Sequence, residues 1–175
     1  MKKLIIILYL FLFVIFCYCA DFDKYNWEQT KEEVKKLNKG IFIGEQKEIL
    51  IFQNKDISIF PYINLFYFIK NKLGMVSYYF FPTEKNKDFL SDAFETIKNS
   101  TKEKYGDPVE INKNYTLNKY ENKFIWISGD IRIVLYYIIK DDSILELGIQ
   151  YQSMKLQKEL EDNFPDINIE VKIDE

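Results

Sequence analysis

The chain of 175 residues contains no histidine. That removes the usual general base near neutral pH and the commonest transition-metal ligand. Ser-His-Asp and Cys-His catalysis are excluded with it. Only two cysteines are present, Cys17 and Cys19, and both lie in the N-terminal apolar run. A tetrahedral zinc site would have only carboxylates to draw on. Arginine occurs once, as Arg132, and 24 Lys and Arg stand against 27 Asp and Glu. Such a balance offers neither the basic face that nucleic acid requires nor a patch for anionic lipid. The six glycines form neither G-x-x-x-x-G-K-[ST] nor G-x-G-x-x-G, so both phosphate-cradling loops are missing.

The first segment present is a leader. Lys2 and Lys3 precede an unbroken apolar run over 4–16, then Cys17-Tyr18-Cys19-Ala20 and the acidic Asp21-Phe22-Asp23. This order is that of a secretory signal peptide over 1–20. Cleavage after Cys19 puts Cys17 and Cys19 at −3 and −1. Lipidation at Cys17 or Cys19 ranks second, because Phe16 and Tyr18 stand where lipoprotein signals carry a small residue. An uncleaved anchor ranks third, since 4–20 falls short of the ~20 residues that span a bilayer. All three readings make the protein extracytoplasmic: periplasmic, secreted or envelope-attached. The mature chain then has no cysteine pair, so a packed core must stabilise it. Roughly 155 residues suffice for one domain, expected over 21–153 with a C-terminal helix and tail over 154–175.

Carboxylate chemistry is what the missing residue types leave open: glycoside hydrolysis by two acids, or calcium held by oxygens. The candidate pairs are Asp21/Asp23, Glu32/Glu33, Asp141/Asp142 and Asp162/Asp166. Each has a simpler explanation. Glu32 and Glu33 fall in a helix first turn, where negative charge suits the dipole. Asp141 and Asp142 form a turn between apolar alternating runs. Asp162 and Asp166 flank Pro165 at a helix end. No calcium loop pattern occurs. Asn99-Ser100-Thr101 and Asn114-Tyr115-Thr116 match the glycosylation acceptor, as an Asn-rich chain does by chance. No catalytic residue, metal ligand or cofactor is therefore assigned.

Hydrophobic period and turn chemistry predict the elements. Thr30-Lys31-Glu32-Glu33 is a capping box opening a short helix over 31–38, with Trp27 before it and Gly40 after it. Strands are expected at 48–53, 57–61, 65–70 and 75–81, with turns at 54–56 and 71–74. Whether 57–61 and 65–70 are one bent strand or two stays open. Phe89, Leu90, Ala93, Phe94, Ile97 and Thr101 mark a helix over 86–104, ended by Gly106 and Pro108. Residues 109–122 read as polar and irregular. Three strands follow at 123–128, 131–139 and 144–152. In the last, Leu145, Leu147, Ile149 and Tyr151 alternate with Glu146, Gly148 and Gln150, so one sheet face should be buried and the other wet. Residues 153–164 suit a short helix. Ile167, Ile169, Val171 and Ile173 alternate in the tail.

The expected class is α+β: a two-layer arrangement of antiparallel meander sheet and helices, with a tandem αβββ-αβββ pseudo-repeat in halves 27–83 and 86–152. Thr30, Val34 and Leu37 match the start, and Gly106-Asp107-Pro108 the end, of the motif of BamE-type (SmpA/OmlA) exported lipoproteins. In that motif a Gly-Met-[Ser/Thr] opens a helix and Gly-x-Pro closes it. Glu28-Gln29 replace the Gly-Met, and no Gly-x-Pro follows the first helix. The layout resembles that family and the tandem form in the β-lactamase inhibitory proteins. It is also similar to uncharacterised exported bacterial proteins with a W-x-x-[ST]-K-E-E-V opening. The resemblance implies an exported scaffold that binds proteins without catalysis. Trp27, Trp126, Tyr78 and Tyr136 are candidate contact anchors, each also suited to ordinary core. The alternatives are a carrier of a small apolar ligand and, third, a carboxylate hydrolase.

Overall fold

A computed structural model describes residues 25–53, 62–80, 90–116, 119–140 and 143–164. The leader with Cys17 and Cys19, the expected strand at 57–61, the turn at 54–56, the expected helix start at 86–89 and the tail beyond 164 lie outside these residues. So do Asp21, Asp23, Asp141, Asp142 and Asp166.

The order of elements is α1 (Lys31–Leu37), β1 (Ile41–Gln46), β2 (Ile49–Gln53), β3 (Tyr62–Ile69), β4 (Lys72–Phe80), α2 (Leu90–Tyr105), β5 (Glu110–Thr116), β6 (Lys119–Ser128), β7 (Ile131–Lys140) and β8 (Ser143–Ser153). A 3-10 turn, Met154–Leu156, leads into α3 (Gln157–Asn163). The fold is α+β, as expected. All eight strands form one antiparallel sheet in the order β1-β2-β3-β4-β8-β7-β6-β5. Four strands therefore follow each long-range helix, not three. The additions are β1 and β5, and β5 corrects the expectation of irregular chain over 109–122.

The capping box forms as the sequence predicts. Thr30 N donates to Glu33 Oε2 at 2.8 Å, and Glu33 N donates back to Thr30 Oγ1. Gly40 does not end α1. Asn38 does so in an extended conformation, its side-chain oxygen accepting from Gly40 N at 2.7 Å. Lys31 and Lys35 both reach Glu45 of β1, at 2.7 and 3.3 Å, and tie helix to strand. Gly106 does cap α2, with φ +83° and its N–H on Lys102 O at 2.8 Å. Trp126 Nε1 donates to the Gly106 carbonyl at 2.9 Å, fixing that helix end to β6.

The β3–β4 turn is Lys70-Asn71, both left-handed (φ 51° and 61°), as a two-residue hairpin turn needs. It stands two residues earlier than the sequence suggests. Gly74 lies within β4, the extra residue of a bulge opposite Tyr67 and Phe68.

One face of the sheet carries Leu50, Phe52, Phe66, Phe68, Val76, Tyr78, Trp126, Ile133, Leu135, Leu147 and Ile149, packed on Val34 of α1 and on Leu90, Ala93, Phe94 and Ile97 of α2. The opposite face of β3 and β4 is also buried. Ile63, Leu65, Tyr67, Ile69 and Met75 pack there on Leu160 of α3. Every residue of β3 from Ile63 onward is buried. That corrects the expectation of one wet face: it fails for the centre of the sheet, where α3 supplies the cover. It holds in part for β6 to β8, where the uncovered face carries polar side chains.

Candidate functional site

The strand register lays out the face opposite α1 and α2 in four rows. Met75, Gln152, Arg132 and Ile127 are aligned across β4, β8, β7 and β6. Ser77, Gln150, Val134 and Ile125 form the next row, then Tyr79, Gly148, Tyr136 and Lys123. Glu146, Ile138 and Glu121 form the last. Apart from Ile127, Ser77, Ile125 and Gly148, the residues of these rows line, together with Gln157, Leu160, Glu161 and Phe164 at the α3 end, an open groove of about 750 Å³. Its floor includes the β4–β8 seam, where the two four-stranded runs meet.

The floor is a connected polar network on an apolar base. Arg132 Nη1 donates to Gln152 Oε1 at 2.7 Å. Gln152 Nε2 donates to Gln150 Oε1 at 3.1 Å, and Gln150 Nε2 to Tyr79 Oη at 3.4 Å. The Tyr79 ring meets that of Tyr136 edge-on, 6.2 Å between centroids. Tyr136 Oη donates to Glu146 Oε1 at 3.0 Å. The row works because residue 148 is glycine: a Cβ there would stand 2.5 Å from Tyr136 Oη. Ile125, Val134 and Ile138 are buried between these polar groups.

Burial pushes the Tyr136 phenol well above its usual range, and the nearby Tyr79 and Glu146 add to the effect. Tyr67 is raised by burial first and by Tyr79 second. Both phenols are therefore neutral donors at any physiological pH. Tyr67 Oη lies against Ser77 and Tyr79, yet neither it nor Ser77 Oγ meets a partner in hydrogen-bonding geometry among the described residues, an arrangement that costs stability wherever it is left unsatisfied.

The acids lining the groove each have a partner of their own. Glu121 pairs with Lys123 at 2.9 Å, Glu146 accepts from Tyr136, and Glu161 accepts from Gln157 at 2.8 Å. Glu121 and Glu146 stand on either side of buried Ile138, two strand spacings or about 10 Å apart at the backbone. Among the described residues no three acids gather as a metal site. Arg132 differs from the acids. Its guanidinium is half-buried, lines the groove and meets no carboxylate among the described residues.

Of the residues singled out by sequence, Tyr136 lies in the groove and the other described ones fall elsewhere. Glu32 and Glu33 lie in the first turn of α1, and Asp162 is exposed on α3. Trp126, Tyr78 and Tyr136 are 1, 3 and 6 % exposed, so none is a surface anchor. Trp27 packs half-buried against the main core. Exposed apolar side chains gather instead at the two sheet edges: Phe42 and Ile43 at β1, Val109 and Ile111 at β5. The groove residues Tyr79, Gln150, Gln152, Glu121 and Glu146 were not singled out as a site. The signal for Glu146, Gln150 and Gln152 is the polar half of the β8 alternation; Tyr79 and Glu121 stand on other strands. No protein-family model matches the chain, and neither curated proteins nor solved structures yield a match.

Proposed function

We propose that the chain is an exported, non-enzymatic binding protein and that its contact surface is the groove on the sheet face opposite α1 and α2. The observation that carries this reading is Arg132, a half-buried cation held by Gln152 with no acid partner among the described residues, at the end of an ordered polar floor. A buried or half-buried charge without a counter-charge costs stability. A partner that supplies the counter-charge gives the arrangement a use. The polar lining favours a polar partner over the apolar ligand of the alternative reading. The three acids that line the groove are individually partnered and offer a hydrolase no free pair there. The leader, read as a signal peptide, supports an extracytoplasmic site of action.

We infer in addition that the halves are a duplicated unit of one helix and four strands in a two-layer arrangement, to which α3 is an addition. Three features support this. The strand order runs β1 to β4 and then β8 to β5, so last strand meets last strand. The β4–β8 contact is antiparallel, as a two-fold relation would make it. Val34 of α1 and Phe94 of α2 enter the same core. The layout keeps the resemblance to the BamE-type and β-lactamase-inhibitory proteins as a proposal, and with it a protein partner.

A photo-crosslinking amino acid at Gln157, on the groove wall, tests the reading against the same group at Glu95, exposed on α2. In cells that export the protein, position 157 should yield discrete protein adducts that position 95 does not. Identical adducts from both positions would sink the groove as the contact surface.

A further inference from the structure

The groove has a direction. Arg132 stands in the first row, and Glu146 and Glu121 stand in the last. From Arg132 to Ile138 is six residues of extended strand, roughly 20 Å at about 3.3 Å each. An extended hexapeptide has the same length. Between the two ends lie Gln152, Gln150 and Tyr79, whose hydrogen bonds run in one sense away from the guanidinium. Within that chain each glutamine oxygen keeps a second lone pair, and Gln150 keeps a second amide hydrogen, with which to meet a peptide backbone.

The guanidinium is prepared for a planar acceptor. Its Nη1 is held by Gln152 Oε1, and Gln152 is in turn held through Gln150. The other guanidinium donors meet no partner among the described residues. Arginine presents five donors in a rigid geometry that fits a carboxylate bidentately; lysine offers a point charge. The chain uses lysine for its other cations, so this one position departs from its habit. The acids that line the groove outnumber its cations, three (Glu121, Glu146, Glu161) to two (Lys123, Arg132). A general field therefore does not draw anions in. Recognition of an anion here must be local, with a positive group of the ligand suiting the acidic end.

We propose that the groove binds an extended peptide with a free C-terminal carboxylate, the carboxylate on Arg132 and the N-terminal, basic end toward Glu146 and Glu121. This rests on the groove being the binding surface. The probe is the hexapeptide Lys-Thr-Val-Thr-Val-Ala, used as the free acid and as the C-terminal amide, titrated into the 15N-labelled full mature chain. The free acid should shift the side-chain amide signals of Gln150 and Gln152 and the Nε–H signal of Arg132, and bind about tenfold or more tightly than the amide, as one charge-assisted pair would give. Arg132→Gln should remove the preference, and Arg132→Lys should retain part of it. Equal affinities for acid and amide, with the groove signals still moving, would overturn the carboxylate assignment and leave the groove reading intact. So would a preference that survives Arg132→Gln. No shift of groove signals by either peptide at millimolar concentration would overturn both.

Discussion

Gly148 lies beneath the Tyr136 ring, and a Cβ at that position would stand 2.5 Å from the phenol oxygen and 2.6 Å from Cζ. The glycine is there for space, since its φ is not in the left-handed region. Its absent side chain lets Tyr136 lie across β8 to reach both Tyr79 and Glu146.

Gly148→Ala should therefore destabilise the protein by about 1–3 kcal/mol, the usual cost of forcing extra volume into a packed site. Chemical denaturation measures it. Placed on a Tyr136→Val background, the same change should cost well under half as much, because the ring that it strikes is gone. Equal costs in the two backgrounds would mean that Tyr136 is not what the glycine accommodates.

Tyr67 and Tyr136 are held neutral by burial, and so is Tyr25, whose burial outweighs the hydrogen bond that it accepts from Asn38. A tyrosine raised in the folded state keeps its proton when the unfolded chain, with a pKa near 10, has lost it. The unfolded state then binds fewer protons, so stability falls as pH rises above about 10 and is unaffected by these groups below it. Absorbance titration at 295 nm should show at least these three tyrosines ionising only with the unfolding transition. Smooth ionisation of every tyrosine before the far-ultraviolet circular dichroism changes would contradict this.

Much of the chain's organisation is legible from local chemistry. The capping box at Thr30 and Glu33, the left-handed Gly106 and the apolar stripe from Leu90 to Thr101 each need only neighbours in sequence. Two strands are harder to read. Among the described residues β5, Glu110–Thr116, pairs with β6 alone, and its sequence EINKNYT is mostly polar. In β1 the bulge at Ile43 breaks the alternation. Gly74 looks like a turn residue, yet it marks a bulge because Leu160, far along the chain, must come close. The groove is harder still. Tyr79, Gly148 and Tyr136 share a row only once β4 pairs with β8 and β8 with β7. A one-residue slip would send each to the other face, and while the β7–β8 hairpin sets its own register, nothing local sets that of β4 on β8.

Glu33 and Glu45 report on the first helix. Hydrogen bonds from the Thr30 backbone and hydroxyl hold the Glu33 carboxyl below its usual range, and the Lys31 contact does the same first for Glu45. Carboxylates depressed in the folded state contribute stability above their unfolded value, near 4.3, and lose it as pH falls through the lower folded value. Thr30→Ala should cost about 1 kcal/mol at pH 7 as a lost cap. Its cost should shrink as the pH falls below the ordinary carboxylate range, where Glu33 takes up its proton and the reciprocal pair weakens. Urea midpoints at pH 7 and pH 3.5 decide it: a cost independent of pH would show that Glu33 takes no part.

Leu160 is the pin of α3. It is 6 % exposed, packs into the cluster of Ile63, Leu65, Tyr67 and Met75, and lies so close to Gly74 that a Cβ there would be 3.1 Å from its Cδ2. Seven residues are too few to hold a helix in water without packing. Leu160→Ala removes about 2–5 kcal/mol of buried contact, and the cheapest response is to release α3 while the sheet persists. Hydrogen exchange should then accelerate in 154–164 by about 30-fold or more, the equivalent of ~2 kcal/mol, with β7 and β8 unchanged. Because Gln157, Glu161 and Phe164 form the groove wall, release should also weaken any ligand bound there. Acceleration spread evenly over β7 and β8 would show instead that α3 and the sheet open as one unit, and that the wall of the groove cannot move independently of its floor.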